Sequence, residues 1–216
     1  FLLSKTIRYK IEGENLMIWN TKIEIKSIRK IYRTNNPLSS PALSLDRLAI
    51  VYNKFDEILI SKYRNEDFVY AGTSAGAAAA SNNMIYQGSS SEALLKGEVK
   101  ITSGLGLIDD VVIDTHFVQR GRIGRLFQAV VGNPKVLGIG LGEDTGLLIT
   151  NGRQMEAIGS GLVILVDGRE VKDTNLTQVE LGQPISINHL VTHVMSNHDR
   201  FDLDTFKMTI KSSQYV

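Results

Sequence analysis

Between Phe68 and Ser81 the chain reads FVYAGTSAGAAAAS, and this stretch limits the fold more than any other. An apolar run, Phe68 to Ala71, suits a short buried strand, and Ala77 to Ala80 has high helix propensity. Gly72-Thr73-Ser74-Ala75-Gly76 lies between them and has to reverse the chain within a few residues. Glycine removes the Cβ atoms that would clash in so tight a turn. The pattern is G-x-S-x-G, which in a strand–turn–helix setting predicts a nucleophile elbow with the Ser74 hydroxyl held out at a helix start. A plain turn with a capping serine fits the same residues. The two readings separate only if a base lies close to Ser74.

Around this turn the pattern is that of an α/β chain. Apolar positions from Ser44 to Asn65 (Leu48, Val51, Tyr52, Phe55, Ile58, Leu59 and Tyr63) fall at helical spacing. GLGLIDDVVIDTHF predicts a strand over Val111–Ile113 that ends at Asp114, and Leu126, Phe127, Val130 and Val131 form a helical stripe that stops at Gly132-Asn133-Pro134. KVLGIGLGEDTGLLIT reads as two short strands about a tight glycine-rich connection, and GLVILVDGRE adds a strand with antiparallel character. Helix, strand, turn and helix in succession predict an open α/β sheet. Length 216 suits one domain, taken here as 1–216, whose first 43 or so residues carry only a weak strand-and-turn pattern.

A serine hydroxyl needs a base within hydrogen-bond reach. The four histidines are His116, His189, His193 and His198. His116 lies just past the Val111–Ile113 strand, and ligands of open α/β sheets gather at the carboxyl ends of strands. His189 and His193 could share a helix face, but no glutamate follows the first, so the H-E-x-x-H zinc pattern is missed and no metal site is expected. For the carboxylate that would orient the histidine, Glu143, Asp144 and Asp114 all qualify by position, while Glu143-Asp144 also suits a charged hairpin tip. Arg120, Arg122 and Arg125 follow His116 closely, with glycines between them. Three guanidinium groups so near one another repel unless anions lie nearby; substrate carboxylates would fit, and surface solvation or a carboxylate inside the protein is the plain alternative.

Composition excludes several other chemistries. There is no cysteine, so disulfides, thiolate zinc sites and a cysteine nucleophile are ruled out. This suits a cytoplasmic protein, while a chain that starts at Phe1 also allows an exported one cut from a longer product. A net charge of +1, with no basic stripe interleaved with aromatics, gives no reason to expect nucleic acid as a partner. No apolar run approaches the roughly 20 residues of a spanning helix, so no membrane partner is expected.

Three segments in order, AGTSAGAAAAS, SGLGLIDDVVIDTHFVQRGRIGRL and GIGLGEDTGLLI, continued by MEAIGSGLVILVDG, resemble the cyanophycinase branch of the serine peptidase family that also contains the aspartyl dipeptidases called peptidase E. The likeness spans roughly Tyr63 to Gly168. It implies a fold similar to class I glutamine amidotransferases, a mostly parallel sheet flanked by helices. It also implies Ser74 as nucleophile, His116 as general base and acid, Glu143 as orienting carboxylate and the Ala75 amide as an oxyanion donor. Asp114, Thr115, Arg120, Arg122 and Arg125 correspond to substrate-binding positions. The implied reaction is release of β-aspartyl-arginine dipeptides from cyanophycin, a polyaspartate carrying arginine on each side chain. It uses no cofactor and is carried out by a homodimer.

The chain departs from the family in places. Thr115 stands where glutamine is frequent, and Gly142 where aspartate is common. The family's glycine-rich loop, which supplies a second oxyanion donor, has no counterpart, and NNPLSSPALSLDRLAIVYN occupies its place. Either segments of the N-terminal half are missing or part of the site has been lost. Two alternatives follow: a peptidase E-like aspartyl or isoaspartyl dipeptidase, and a non-catalytic peptide- or polymer-binding relative without a full oxyanion hole.

Overall fold

The computed structural model describes residues 2–3, 9–12, 15–18, 24–25 and 57–211. They fall into two compact units, one of Phe1–Ile7 with Ala71–Val216 and one of Arg8–Tyr70, where the sequence pattern predicts a single domain. In the smaller unit, strands β2 (Tyr9–Glu12), β3 (Asn15–Ile18) and β4 (Glu24–Ile25) pair in an antiparallel sheet. Helix α1 is described over 57–65, the end of the stripe predicted from Ser44 onward, and the rest of that prediction lies outside the described residues. The NNPLSSPALSLDRLAIVYN segment lies outside them as well.

The larger unit holds two six-stranded sheets. The first has the order β15 (Val191–Met195), β12 (Val163–Asp167), β9 (Leu137–Leu141), β8 (Ile108–Thr115), β6 (Ser81–Gln87), β7 (Lys100–Ser103). The second runs β17 (Lys207–Thr209), β16 (Arg200–Asp202), β11 (Gln154–Gly159), β10 (Thr145–Thr150), β1 (Leu2–Leu3), β5 (Gly72–Thr73). Only β6–β8 and β8–β9 in the first sheet, and β1–β5 in the second, are parallel. The expected mostly parallel sheet is therefore a mixed one with few helices. The physical reason is connection length. A parallel neighbour needs a crossover, and α3 (Ile123–Gly132) supplies one between β8 and β9. The β10–β11 turn is short, with Asn151 and Gly152 both at positive φ (55° and 67°), and can only return the chain antiparallel.

The core that carries the site lies where α3 packs on β8 and β9. Val112 and Val166 from the sheet, Leu126, Ala129 and Val130 from α3, and Phe117 from the turn after β8 form one buried cluster. The stripe Leu126, Val130 and Val131 faces inward as its spacing predicts. Gly140 of β9 sits under Phe117, and a Cβ there would fall inside the aromatic ring. That contact is the local reason for glycine in GIGLG.

Two local expectations change. Phe68–Ala71 is not a buried strand: it has no regular structure, Val69 is 55% exposed, and the strand before the serine is only β5. The alanine helix, α2, covers Ala75–Ala78 and gives way to β6, a strand unmarked by alternation. GEDTG is likewise no hairpin tip. It carries the chain from β9 in one sheet to β10 in the other.

Candidate active site

Ser74 links β5 to α2 with φ 50° and ψ −117°, a backbone conformation that a non-glycine residue takes only when its surroundings impose it. Gly72 shows how they do so. A Cβ on it would fall on the Gly76 carbonyl, so the strand and the start of α2 approach one another too closely for any side chain. The Ser74 side chain makes no capping hydrogen bond, which removes the plain capping reading. Its Oγ lies 3.2 Å from His116 Nε2 instead.

His116 follows the last residue of β8 and has a positive φ of 53°. The turn it begins is closed by Arg120 N–H donating to the His116 carbonyl, and the next residue, Phe117, donates its N–H to Leu141 at the end of β9. The ring is buried, and its Nδ1 lies 3.0 Å from Glu143 Oε1. A carboxylate can only accept, so Nδ1 carries the proton and, in the neutral ring, Nε2 is left free to accept from the Ser74 hydroxyl. Ser74, His116 and Glu143 thus stand in one hydrogen-bonded line drawn from three loops. Such a line can move a proton from the serine oxygen to the imidazole and hold the resulting cation.

The carboxylate is held by its backbone too. Thr145 Oγ1 donates to the Glu143 carbonyl, and the Glu143 N–H donates to Gln119 Oε1 at 3.1 Å. Nothing in the sequence pattern singles out Gln119. Its place three residues after His116, inside a turn, is the only available signal. Ala75 is the first residue of α2, directly after Ser74.

The structure collects Asp114, Thr115, Arg122 and Arg125 in a second cluster. Arg125 Nε donates to Asp114 Oδ2 at 2.9 Å and Arg125 Nη2 to Asp114 Oδ1 at 2.7 Å. Arg122 Nη1 donates to Asp114 Oδ1 (3.3 Å) and to the Thr115 carbonyl (2.7 Å), and Arg125 Nη1 donates to the Gly88 carbonyl. Thr115 donates its own N–H to Asp114 Oδ1. The carboxylate partner of these two arginines is therefore inside the protein. Burial pulls the Arg122 guanidinium below its ordinary pKa; the Asp114 charge opposes this, and neighbouring Arg125 and Arg120 add to it. Arg120 is exposed on the turn after His116 and has no ion pair among the described residues.

The other histidines do not join the site. His198 Nδ1 lies 2.9 Å from Glu156 Oε1, and His193 sits in β15 with its ring 5.6 Å from that of Phe201. The idea that His189 and His193 share a helix face is overturned, since His193 lies in a strand and His189 in no helix. Among the described residues, no group of three or more metal-ligating side chains is gathered, and no helix is long and apolar enough to cross a membrane.

Comparison with known proteins bears on the same residues. A model of the bacterial PH domain matches residues 7–71, nearly the extent of the smaller compact unit. The model of peptidase family S51 matches residues 48–157. Proteins named cyanophycinase are similar to the chain. That of Trichormus variabilis is 40% identical over 147 residues, covering 68% of this chain and 49% of its own length. Those of Synechococcus elongatus (38% over 143 residues; 66% and 44%) and Geminocystis herdmanii (39% over 134 residues; 62% and 49%) follow. The chain spans about half the length of these curated relatives. A family match over half of the chain that takes in the serine, the histidine and the glutamate makes this protein a member of peptidase family S51.

Proposed function

We propose that the chain is a serine-type exopeptidase that cuts cyanophycin to β-aspartyl-arginine dipeptides through an acyl-enzyme on Ser74. The observation that carries this reading is the strained serine, whose oxygen lies 3.2 Å from a histidine that is itself 3.0 Å from a carboxylate. The relatives named cyanophycinase support the choice of polymer. In this reading β5, Ser74 and α2 form a nucleophile elbow within a fold related to class I glutamine amidotransferases. The larger unit carries the candidate site, and the peptidase family match begins at residue 48, inside the smaller unit.

Ser74 Oγ attacks a backbone carbonyl of an aspartyl residue while His116 Nε2 takes its proton, and Glu143 holds the imidazolium through Nδ1–H. The Ala75 N–H faces the developing oxyanion. His116 then returns the proton to the departing amine, the peptide C–N bond breaks, and the acyl group stays on Ser74. Water, deprotonated by His116, attacks the ester; the acid product leaves and Ser74 regains its proton. Arg120 supplies the exposed cation for a substrate carboxylate, while Asp114, Arg122 and Arg125 form the wall that carries it, with Thr115 beside them. The protein works without a cofactor, in the cytoplasm, as a homodimer.

The test is a fluorophosphonate label on Ser74, together with dipeptide release from cyanophycin and from aspartyl dipeptides measured side by side. Wild-type protein should label and release β-aspartyl-arginine, and Ser74→Ala should lose at least about 10⁴-fold in turnover with its unfolding midpoint unchanged. Turnover of aspartyl dipeptides alone would move the assignment to a peptidase E-like dipeptidase. A serine inert to the label would leave a non-catalytic binding protein. That last reading draws on one observation, the match of residues 7–71 to a bacterial PH domain where the family's oxyanion loop is expected. Losing that second donor alone slows such enzymes by about 10²–10³.

A further inference from the structure

We infer that Gln119 is a positioning residue for the Glu143–His116 pair; this rests on reading those two residues as orienting carboxylate and base. Glu143 stands on a connection that leaves one sheet for the other, and its side chain is 36% exposed. A carboxylate in that position reaches His116 only if the main chain that presents it stays in place. Three ties run from the turn after β8 to the end of β9 and the residues beyond. Phe117 N–H donates to the Leu141 carbonyl (3.0 Å), His116 Nδ1 meets Glu143 Oε1, and Gln119 Oε1 accepts the Glu143 N–H. The first fixes the strand end and the second is the couple that has to be aimed. Of the three, only the last holds the Glu143 peptide itself from the histidine's own turn. Thr145 Oγ1 completes the grip on the following peptide, donating to the Glu143 carbonyl.

The chemistry of the side chain fits this role. An N–H needs an acceptor, and the side-chain oxygen of glutamine supplies one at this reach. The turn that carries Gln119 is itself closed, with Arg120 N–H on the His116 carbonyl, Gly121 N–H on that of Val118 and Arg122 N–H on that of Phe117. Gln119 therefore acts from a fixed base, and the geometry of base and carboxylate is set within one loop pair.

The experiment compares Gln119→Met, which keeps the length and loses the acceptor, with Gln119→Glu, which restores an acceptor oxygen. Two readouts are taken on the intact chain: the downfield proton resonance of His116 Nδ1–H held on Glu143, and the rate of Ser74 labelling by a fluorophosphonate. The methionine variant should lose or broaden the resonance and label about five- to tenfold more slowly, the worth of one hydrogen bond. The glutamate variant should recover both, and the unfolding midpoint should stay the same in all three. An unchanged resonance in Gln119→Met, or a glutamate variant no better than methionine, overturns the inference. If Ser74 in the wild type fails to label, the proposed reaction fails. The resonance still decides the role of Gln119, because it does not depend on the serine.

Discussion

Arg125 meets Asp114 as a fork on a fork, Nε to Oδ2 at 2.9 Å and Nη2 to Oδ1 at 2.7 Å, with both side chains buried. Arg122 adds a third contact to the same carboxylate. The arrangement fastens the end of β8, just before His116, to the start of α3. It also divides the three clustered arginines: the protein holds two of them, and Arg120 is left exposed.

Removing the shared carboxylate should therefore be costly. Asp114→Ala leaves two guanidinium groups without their charge partner and should lower stability by about 3–5 kcal/mol in urea unfolding. Arg120→Ala should shift it by no more than about 0.5 kcal/mol, and in the proposed reaction it should raise KM for the polymer. Equal losses in the two variants would contradict the division of labour.

Glu143→Gln changes one atom of the line. A neutral amide can turn its N–H toward Nδ1, which favours the tautomer that donates from Nε2 and deprives Ser74 of its acceptor. Turnover should fall by on the order of 10²- to 10⁴-fold with KM nearly constant. A kcat within about twofold of wild type would place the orienting carboxylate elsewhere.

Gly140→Ala tests the packing behind the histidine. The new Cβ would meet the Phe117 ring, and overpacking of this kind costs about 1–3 kcal/mol. Because Phe117 is covalently next to His116, Ser74 labelling should slow along with the loss of stability. Unchanged thermal unfolding and labelling would mean that the ring moves aside freely.

Part of the response to acid should come from a buried carboxylate, Asp199. Burial by itself would raise the Asp199 pKa, but N–H donors from Ser196 and Lys211 and the Ser196 hydroxyl outweigh it and hold it below its ordinary value. A carboxyl whose folded pKa lies below its unfolded one adds stability above the unfolded value, and that contribution disappears as pH falls through the folded value. Stability should thus decline below about pH 4. Asp199→Asn should be weaker than wild type at pH 6, with the gap narrowing on acidification. A gap constant between pH 6 and pH 3 would remove Asp199 as a source.

Some elements are readable because a local rule governs them. The stripe from Leu126 to Val131 shows the period of a helix, and Gly132-Asn133-Pro134 ends it. The apolar runs at Val111–Ile113, Leu137–Leu141 and Val163–Asp167 could hardly be anything but buried strands. β6 and β7 leave no such mark, because SNNMIYQ and KITS bury few side chains and show no alternation. Phe68–Ala71 looks like a strand by composition, and composition alone does not say whether a partner lies beside it.

By itself the sequence determined the chemistry on offer: a serine between two glycines at a turn, a histidine at a strand end, a carboxylate on a glycine-rich connection, and no cysteine at all. Those are covalent facts and local propensities, complete within a few residues. Tertiary structure alone decided which partner each group received. It turned Ser74 Oγ to His116 rather than to a cap, chose Glu143 for the histidine, and gave Asp114 to Arg125 and Arg122. These pairings join residues up to 42 positions apart, and hydrogen bonds of a few ångströms exist only once packing of the sheets and α3 has brought distant loops together.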